Sequence, residues 1–228
     1  MKSDVVNAVE REKIIAIVRG ISPEKCMKVA DALYAGGIRL LEITFDQREF
    51  TSHQETANII SGIGQKYEGR MYIGAGTVTT RELVECAAKA GARFVISPDV
   101  NEDVIHRTVE LGMVSIPGAM TPTEIMTAHW AGADFVKLFP AGELGIAYVK
   151  AVRAPISHVK LLAVGGIQEK NIPDFLRVGI SGFGVGGNLV NKAWIDAGEY
   201  SKLTEAASDI ITAVKGSCNA GMKEDDRL

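Results

Sequence analysis

Lys137 sits in the middle of the apolar run Phe135-Val136-Lys137-Leu138-Phe139-Pro140, where a strand would bury its side chains. A charged ammonium is unfavourable there unless it is paired or gives up its proton. A lysine that gives up its proton is a nucleophile. The plainer alternative is a lysine near a strand end whose amine bends back to water. A partner is offered by Leu40-Leu41-Glu42-Ile43-Thr44-Phe45. Leu41, Ile43 and Phe45 make one purely apolar face, so the two-residue period of a strand places Leu40, Glu42 and Thr44 on the other. The same alternation groups Phe135, Lys137 and Phe139, then Ile15, Ile17 and Arg19, then Ile73, Ala75 and Thr77.

If those faces share one lumen, an amine, a carboxylate, a guanidinium and a hydroxyl converge. A buried ionic network that fixes strand register is one reading. Chemistry is the other: a lysine whose pKa is brought toward neutrality by burial and by Arg19 can attack a ketone and form an imine. The protonated imine withdraws electrons from the adjacent carbon–carbon bond, and Glu42 can move protons to and from hydroxyl, water and carbon. A lysine and a glutamate without metal ligands are the equipment of Schiff-base carbon–carbon chemistry.

The elements that must position these groups alternate regularly. Strands are expected over 14–18, 40–45, 72–75, 94–97, 114–116, 135–139, 160–164 and 182–185. Helical patterns fall over 23–35, 80–90, 101–111, 123–131, 146–152 and 172–178, with an extra helix over 3–12 and a closing one over 200–215. Gly37, Gly91, Gly112, Gly132 and Gly179 follow helices at places where a left-handed cap is needed. Eight such units in 228 residues predict an α/β fold, a (β/α)8 TIM barrel with an extra N-terminal helix, over an open sheet. Residues 1–218 read as one domain and 219–228 as a polar, disordered tail.

Two glycine-rich loops belong to the same end of the barrel. Gly165-Gly166 follow the seventh strand, and Gly186-Gly187-Asn188 follow the eighth and could open a short helix. Backbone N–H groups from such loops bind anions in barrels, although glycines also simply make tight turns. The spacing Gly182-x-Gly184-x-x-Gly187 matches a dinucleotide pattern but lies too late in the chain to serve one.

Composition excludes other classes. Net charge is −3 with no basic stripe, which argues against nucleic acid. No apolar run is long enough for a membrane, and the polar start is not a signal peptide. Three scattered cysteines and four isolated histidines form neither a metal set nor a disulfide framework, which suits the cytoplasm.

With these motifs in order, the chain resembles the family of 2-keto-3-deoxy-6-phosphogluconate (KDPG) aldolase, also called 4-hydroxy-2-oxoglutarate (KHG) aldolase. The resemblance runs from about Ile14 to Lys215. It rests on Leu41-Glu42-Ile43-Thr44, Ile73-Gly74-Ala75-Gly76-Thr77-Val78, Ile96-Ser97-Pro98, Pro117-Gly118 with Thr121-Pro122-Thr123-Glu124, Val136-Lys137-Leu138-Phe139-Pro140-Ala141 and Val164-Gly165-Gly166-Ile167. It implies a class I aldolase in which Lys137 forms the imine and Glu42 is the general acid/base, with no other cofactor. Thr77 and Pro98 would line the pyruvyl pocket, Phe139 would pack against it, and Arg19 would hold the substrate carboxylate or tune the lysine. It further implies a small 2-keto acid as substrate, and a homotrimer.

Three positions depart from the family's phosphate pattern: Asp46 stands where an arginine is usual, Val164 replaces a threonine, and Gly187 replaces a serine. Asp46 would repel a phosphate, so a phosphorylated substrate is not assured. A phosphosugar isomerase or decarboxylase on the same barrel, a non-catalytic sugar-phosphate-binding barrel and a metal-dependent pyruvate aldolase are the rival readings.

Overall fold

The computed structural model describes residues 1–48 and 52–225. Strands β1 (Ile14–Val18), β2 (Leu40–Thr44), β3 (Tyr72–Gly76), β4 (Phe94–Ile96), β5 (Val114–Ile116), β6 (Gly118–Ala119), β7 (Val136–Leu138), β8 (Leu161–Val164) and β9 (Gly182–Val185) run parallel. Their order in the sheet is β5-β4-β3-β2-β1-β9-β8-β7-β6, so its two ends are consecutive in the chain. The fifth strand falls over 114–116 as expected; beyond Pro117, which lacks an N–H, a second short piece, β6, follows it. The first piece pairs with β4 and the second with β7. The Lys137 N–H donates to the Pro117 carbonyl at 2.8 Å and closes the circle. The (β/α)8 barrel is therefore present, with its fifth strand in two pieces.

The helices are α1 (Lys2–Glu12), α2 (Pro23–Ala35), α3 (Ser52–Lys66), α4 (Arg81–Lys89), α5 (Glu102–Glu110), α6 (Pro122–Trp130), α7 (Ala141–Arg153), α8 (Ile172–Arg177), α9 (Lys192–Asp196) and α10 (Tyr200–Asp225). Local chemistry starts several of them. The Thr80 hydroxyl accepts from the Leu83 N–H, and Thr121 and Glu124 form a reciprocal capping box on α6. Helix α3, whose pattern was not singled out in the sequence, covers the gap between β2 and β3. Helix α10 continues to Asp225, so residues 219–225 are helical where a disordered tail was expected. Each added residue of an established helix gains a hydrogen bond without a new nucleus, which lets even a polar end propagate.

The core has two layers. The larger packs the outward strand faces, such as Ala16, Leu41, Ile43, Ile73 and Ala75, under the helices. The smaller fills the barrel interior with Ile15, Leu40, Phe94, Ile96, Val114, Ile116, Phe135 and Leu162, and Val5, Ala8 and Val9 of α1 plug its N-terminal end. The chain is thus sealed below, and polar groups can face the lumen only near the strands' C-terminal ends.

This layering corrects the expected face of β3. Ile73 and Ala75 point outward; Gly74 and Gly76 face inward, where Phe94 and Glu42 lie against their Cα atoms. Both faces of β3 carry small or apolar residues, so alternation held no sign of which was which.

Candidate active site

Register builds the site. Parallel pairing sets Ile17 beside Glu42 and Glu42 beside Gly74, one layer above the apolar interior. Across the barrel, Lys137 is paired with Gly118 on one side and Leu162 on the other, above Phe135. Glu42 is 2 % exposed and Lys137 8 %, among the few buried polar side chains of the described residues. They are not in direct contact, since no ion pair within 4.0 Å joins them. Glu42 Oε2 is buried with no hydrogen-bond partner among the described residues.

Their protonation follows from that burial. Loss of solvent lowers the Lys137 pKa; the Glu42 charge opposes this and the Arg19 charge adds to it. Loss of solvent also raises the Glu42 pKa, against the pull of Lys137 and Arg19. Both neutral forms are favoured relative to water. A neutral amine is a nucleophile, and a carboxyl whose pKa has risen can both give and take a proton. The Lys137 amine lies 4.9 Å from the centre of the Phe139 ring, which is itself half exposed at the mouth.

Arg19 leaves the end of β1 and donates from Nη2 to the Thr77 hydroxyl at 3.0 Å. Thr77 reaches the lumen by a route alternation does not provide. Its φ of 57° is left-handed, which turns the side chain off the β3 pattern. Its carbonyl accepts from Gln47 Nε2 at 2.8 Å. Thr44 is buried and donates to the Val18 carbonyl at 3.3 Å. Pro98 is exposed just beyond β4.

The glycine loops form the other side. Gly165 and Gly166 take φ of 87° and 71°, and the Gly165 carbonyl accepts from the Gly142 N–H at 2.8 Å. A Cβ at Gly165 would stand 3.2 Å from the Phe139 ring, so the ring packs flush on that loop. The Asn188 amide donates to the Ile167 carbonyl at 2.8 Å and so ties the two loops together. Gly186 and Gly187 do not open a helix; the Gly186 carbonyl accepts from the Leu189 and Val190 N–H groups in a turn, and α9 starts only after the Asn191 cap.

Two features at the mouth were missed in the sequence. Arg48 folds back on Asp46, donating from Nε at 3.0 Å and Nη2 at 2.5 Å. Those bonds hold the Asp46 carboxyl well below the usual carboxylate range, so its charge is answered locally. Lys192 lines the same cleft, of about 470 Å³, as Arg19, Thr44, Thr77, Asp46, Gln47 and Arg48. Asp46 thus stands at this mouth as an ionised carboxylate paired with Arg48. Both residues lie outside the strands, where no periodicity marks them; the only signal was an arginine two positions from the aspartate.

A plugged parallel barrel thus holds a buried lysine and a buried carboxylate under its C-terminal rim, the groups that imine chemistry needs. Comparison then gives the family. The sequence pattern of KDPG and KHG aldolases matches residues 5–206. A probable 2-dehydro-3-deoxy-6-phosphogalactonate aldolase of Rhizobium meliloti (strain 1021) is 37% identical over 204 residues, 89% of this chain and 93% of its own. A 2-dehydro-3-deoxy-phosphogluconate aldolase of Treponema pallidum (strain Nichols) is 34% identical over 214 residues, 92% of this chain and 97% of its own. A KDPG aldolase from Legionella pneumophila, solved with pyruvate captured at low pH as a covalent carbinolamine intermediate, superposes with a TM-score of 0.80 over 90% of this chain and 97% of its own, at 28% identity. The chain belongs to the KDPG and KHG aldolase family.

Proposed function

We propose that the chain cleaves a 2-keto-3-deoxy-4-hydroxy acid to pyruvate and an aldehyde, with Lys137 as the imine-forming nucleophile and Glu42 as the general acid/base. The observation that carries this reading is the burial of Lys137 and Glu42 in one lumen, each with its neutral form favoured. The Lys137 amine adds to the C2 carbonyl of the substrate, and the Glu42 carboxylic acid gives its proton to the departing water, which leaves a protonated imine and a Glu42 carboxylate. Glu42 takes the proton of the C4 hydroxyl as the C3–C4 bond breaks. The bonding pair moves into the imine to give an enamine, and the aldehyde departs. Protonation of C3 by the Glu42 carboxylic acid and addition of water release pyruvate and restore the amine.

Thr77, Pro98 and Phe139 line the pyruvyl end in this reading, Thr44 supports the β1–β2 rim, and Arg19 holds the carboxylate. The distal group meets Gly165, Gly166, Gly186, Gly187 and the loop tied by Asn188. What supports a 6-phosphorylated acid at that end is the supply of backbone N–H groups in the two glycine loops. The named activity of the Rhizobium meliloti relative favours the galactonate epimer. Residues 1–218 act as one catalytic unit, assembled as a homotrimer in the cytoplasm.

Borohydride added with pyruvate tests the first step. The expected result is a stable pyruvyl adduct on Lys137 that is absent in Lys137→Ala and unaffected by EDTA. Retro-aldol assays on the two 6-phospho epimers, their unphosphorylated acids and 4-hydroxy-2-oxoglutarate then rank the substrates. An unmodified mass in the wild-type protein would refute the reading.

A further inference from the structure

Glu42 must hold its carboxyl at one place, yet Oε2 finds no hydrogen-bond partner among the described residues. Its position is therefore a matter of packing. The β2 carbonyls and amides are engaged in the sheet, and what lies against the end of the side chain is the bare Cα of Gly76, one inward layer above Gly74. A Cβ built on Gly76 would stand 2.5 Å from Glu42 Cδ and 2.6 Å from Cγ, and would collide with Oε1 outright. Real Cβ contacts do not come that close. Because Cγ is included, rotation of the carboxyl group alone gives no relief; the whole side chain must swing.

The backbone gives no competing reason for glycine here. Gly76 is the last residue of β3 and is not among the residues with left-handed φ. Any L-residue could adopt its conformation. Its neighbour Gly74 answers a different side chain, the Phe94 ring, whose Cγ would lie 2.6 Å from an added Cβ.

We propose that Gly76 is a positioning residue for catalysis: the gap at its Cα is the seat that holds the Glu42 carboxyl in register with the imine carbon. The proposal rests on the aldolase reading above. Its test is a double-mutant cycle. Gly76→Ala should lose about 10²-fold in kcat, the penalty expected for a displacement on the order of 1 Å at a reacting group. The acid limb of its kcat/KM profile should move, while full pyruvyl adduct on Lys137 is retained at long incubation. In a Glu42→Ala background, where the colliding atoms are gone, the same Gly76→Ala change should alter activity less than about twofold and leave thermal unfolding unchanged.

Equal losses on both backgrounds, or wild-type kcat in Gly76→Ala, would overturn the proposal. If Gly76→Ala does not fold, Gly76→Ala with Glu42→Ala, which removes Cγ together with the carboxyl, should restore folding; failure of that rescue counts against the seat. Absence of adduct in the wild type would instead strike at the aldolase reading.

Discussion

Thr77 is a β-branched residue at φ 57°, where a Cβ crowds the following carbonyl oxygen. The conformation persists because its hydroxyl accepts from Arg19 and its carbonyl from Gln47. Strain of this kind is held at sites where a side chain must be aimed. It gives a sign reversal that a purely chemical role does not. Thr77→Ala and Thr77→Gly both lose the hydroxyl, but only the alanine keeps a Cβ in the left-handed region. At an ordinary position glycine is worse than alanine by about 0.5–1 kcal/mol. Here the Cβ penalty of about 1–2 kcal/mol acts the other way. The glycine variant should come out ahead by roughly 0.5–1 kcal/mol, which for a chain of this size means a Tm about 1–4 °C higher. Calorimetry on the two variants reads this directly. Activity should separate from stability: both variants lose about tenfold in kcat/KM, equivalent to roughly 1.4 kcal/mol of positioning, whereas Thr77→Ser keeps the Arg19 bond and most of the rate. A higher Tm for alanine than for glycine would refute the strain argument. Activity restored in the glycine variant would refute the role of the hydroxyl.

Glu42→Gln should lower kcat by about 10²–10⁴-fold while leaving the fold intact. Burial raises the carboxyl's pKa, so wild type loses stability as pH rises from the unfolded value of 4.5 through the folded one, and glutamine does not. The stability of Glu42→Gln relative to wild type should therefore grow across that range and level off above it, as urea titrations at stepped pH will show. Burial is the main cause of the lowered Lys137 pKa and Arg19 adds to it. In Arg19→Met, the pH at which pyruvate–borohydride trapping reaches half its maximal rate should accordingly move upward. Arg48→Met leaves the Asp46 charge unanswered at the mouth. Its kcat/KM should fall for phosphorylated acids but not for unphosphorylated ones, and the loss should shrink with added salt.

The parts of this site that the sequence made legible are those that break a local pattern. Lys137 is a charge in an apolar strand, and Glu42 is a carboxylate whose apolar face-mates leave it one side to occupy, so each declared its face. The alternating units and the glycines that follow five of the helices declared the barrel in the same way. What stayed hidden depends on contacts between segments far apart in sequence. Gly74 and Gly76 carry no side chain to show a face; the reason for each lies on another strand, in Phe94 and in Glu42. The closing of the barrel at Pro117 is a matter of which neighbour each half-strand meets. The pairing of Asp46 with Arg48 likewise depends on how the rim folds, which no strand or helix period marks. Three local rules are broken within this one rim: a buried lysine, a buried carboxylate oxygen without a partner, and a left-handed threonine. Outside the rim, Lys13 takes a left-handed φ as the cap of α1 and Arg107 Nε is buried without a partner among the described residues, but neither lies beside a second exception, and capped helices and apolar layers supply the stability that this rim gives up. Concentration of such exceptions where Arg19, Glu42 and Lys137 meet is what a site under selection for chemistry produces, and a network kept only for register would have no use for the strain at Thr77.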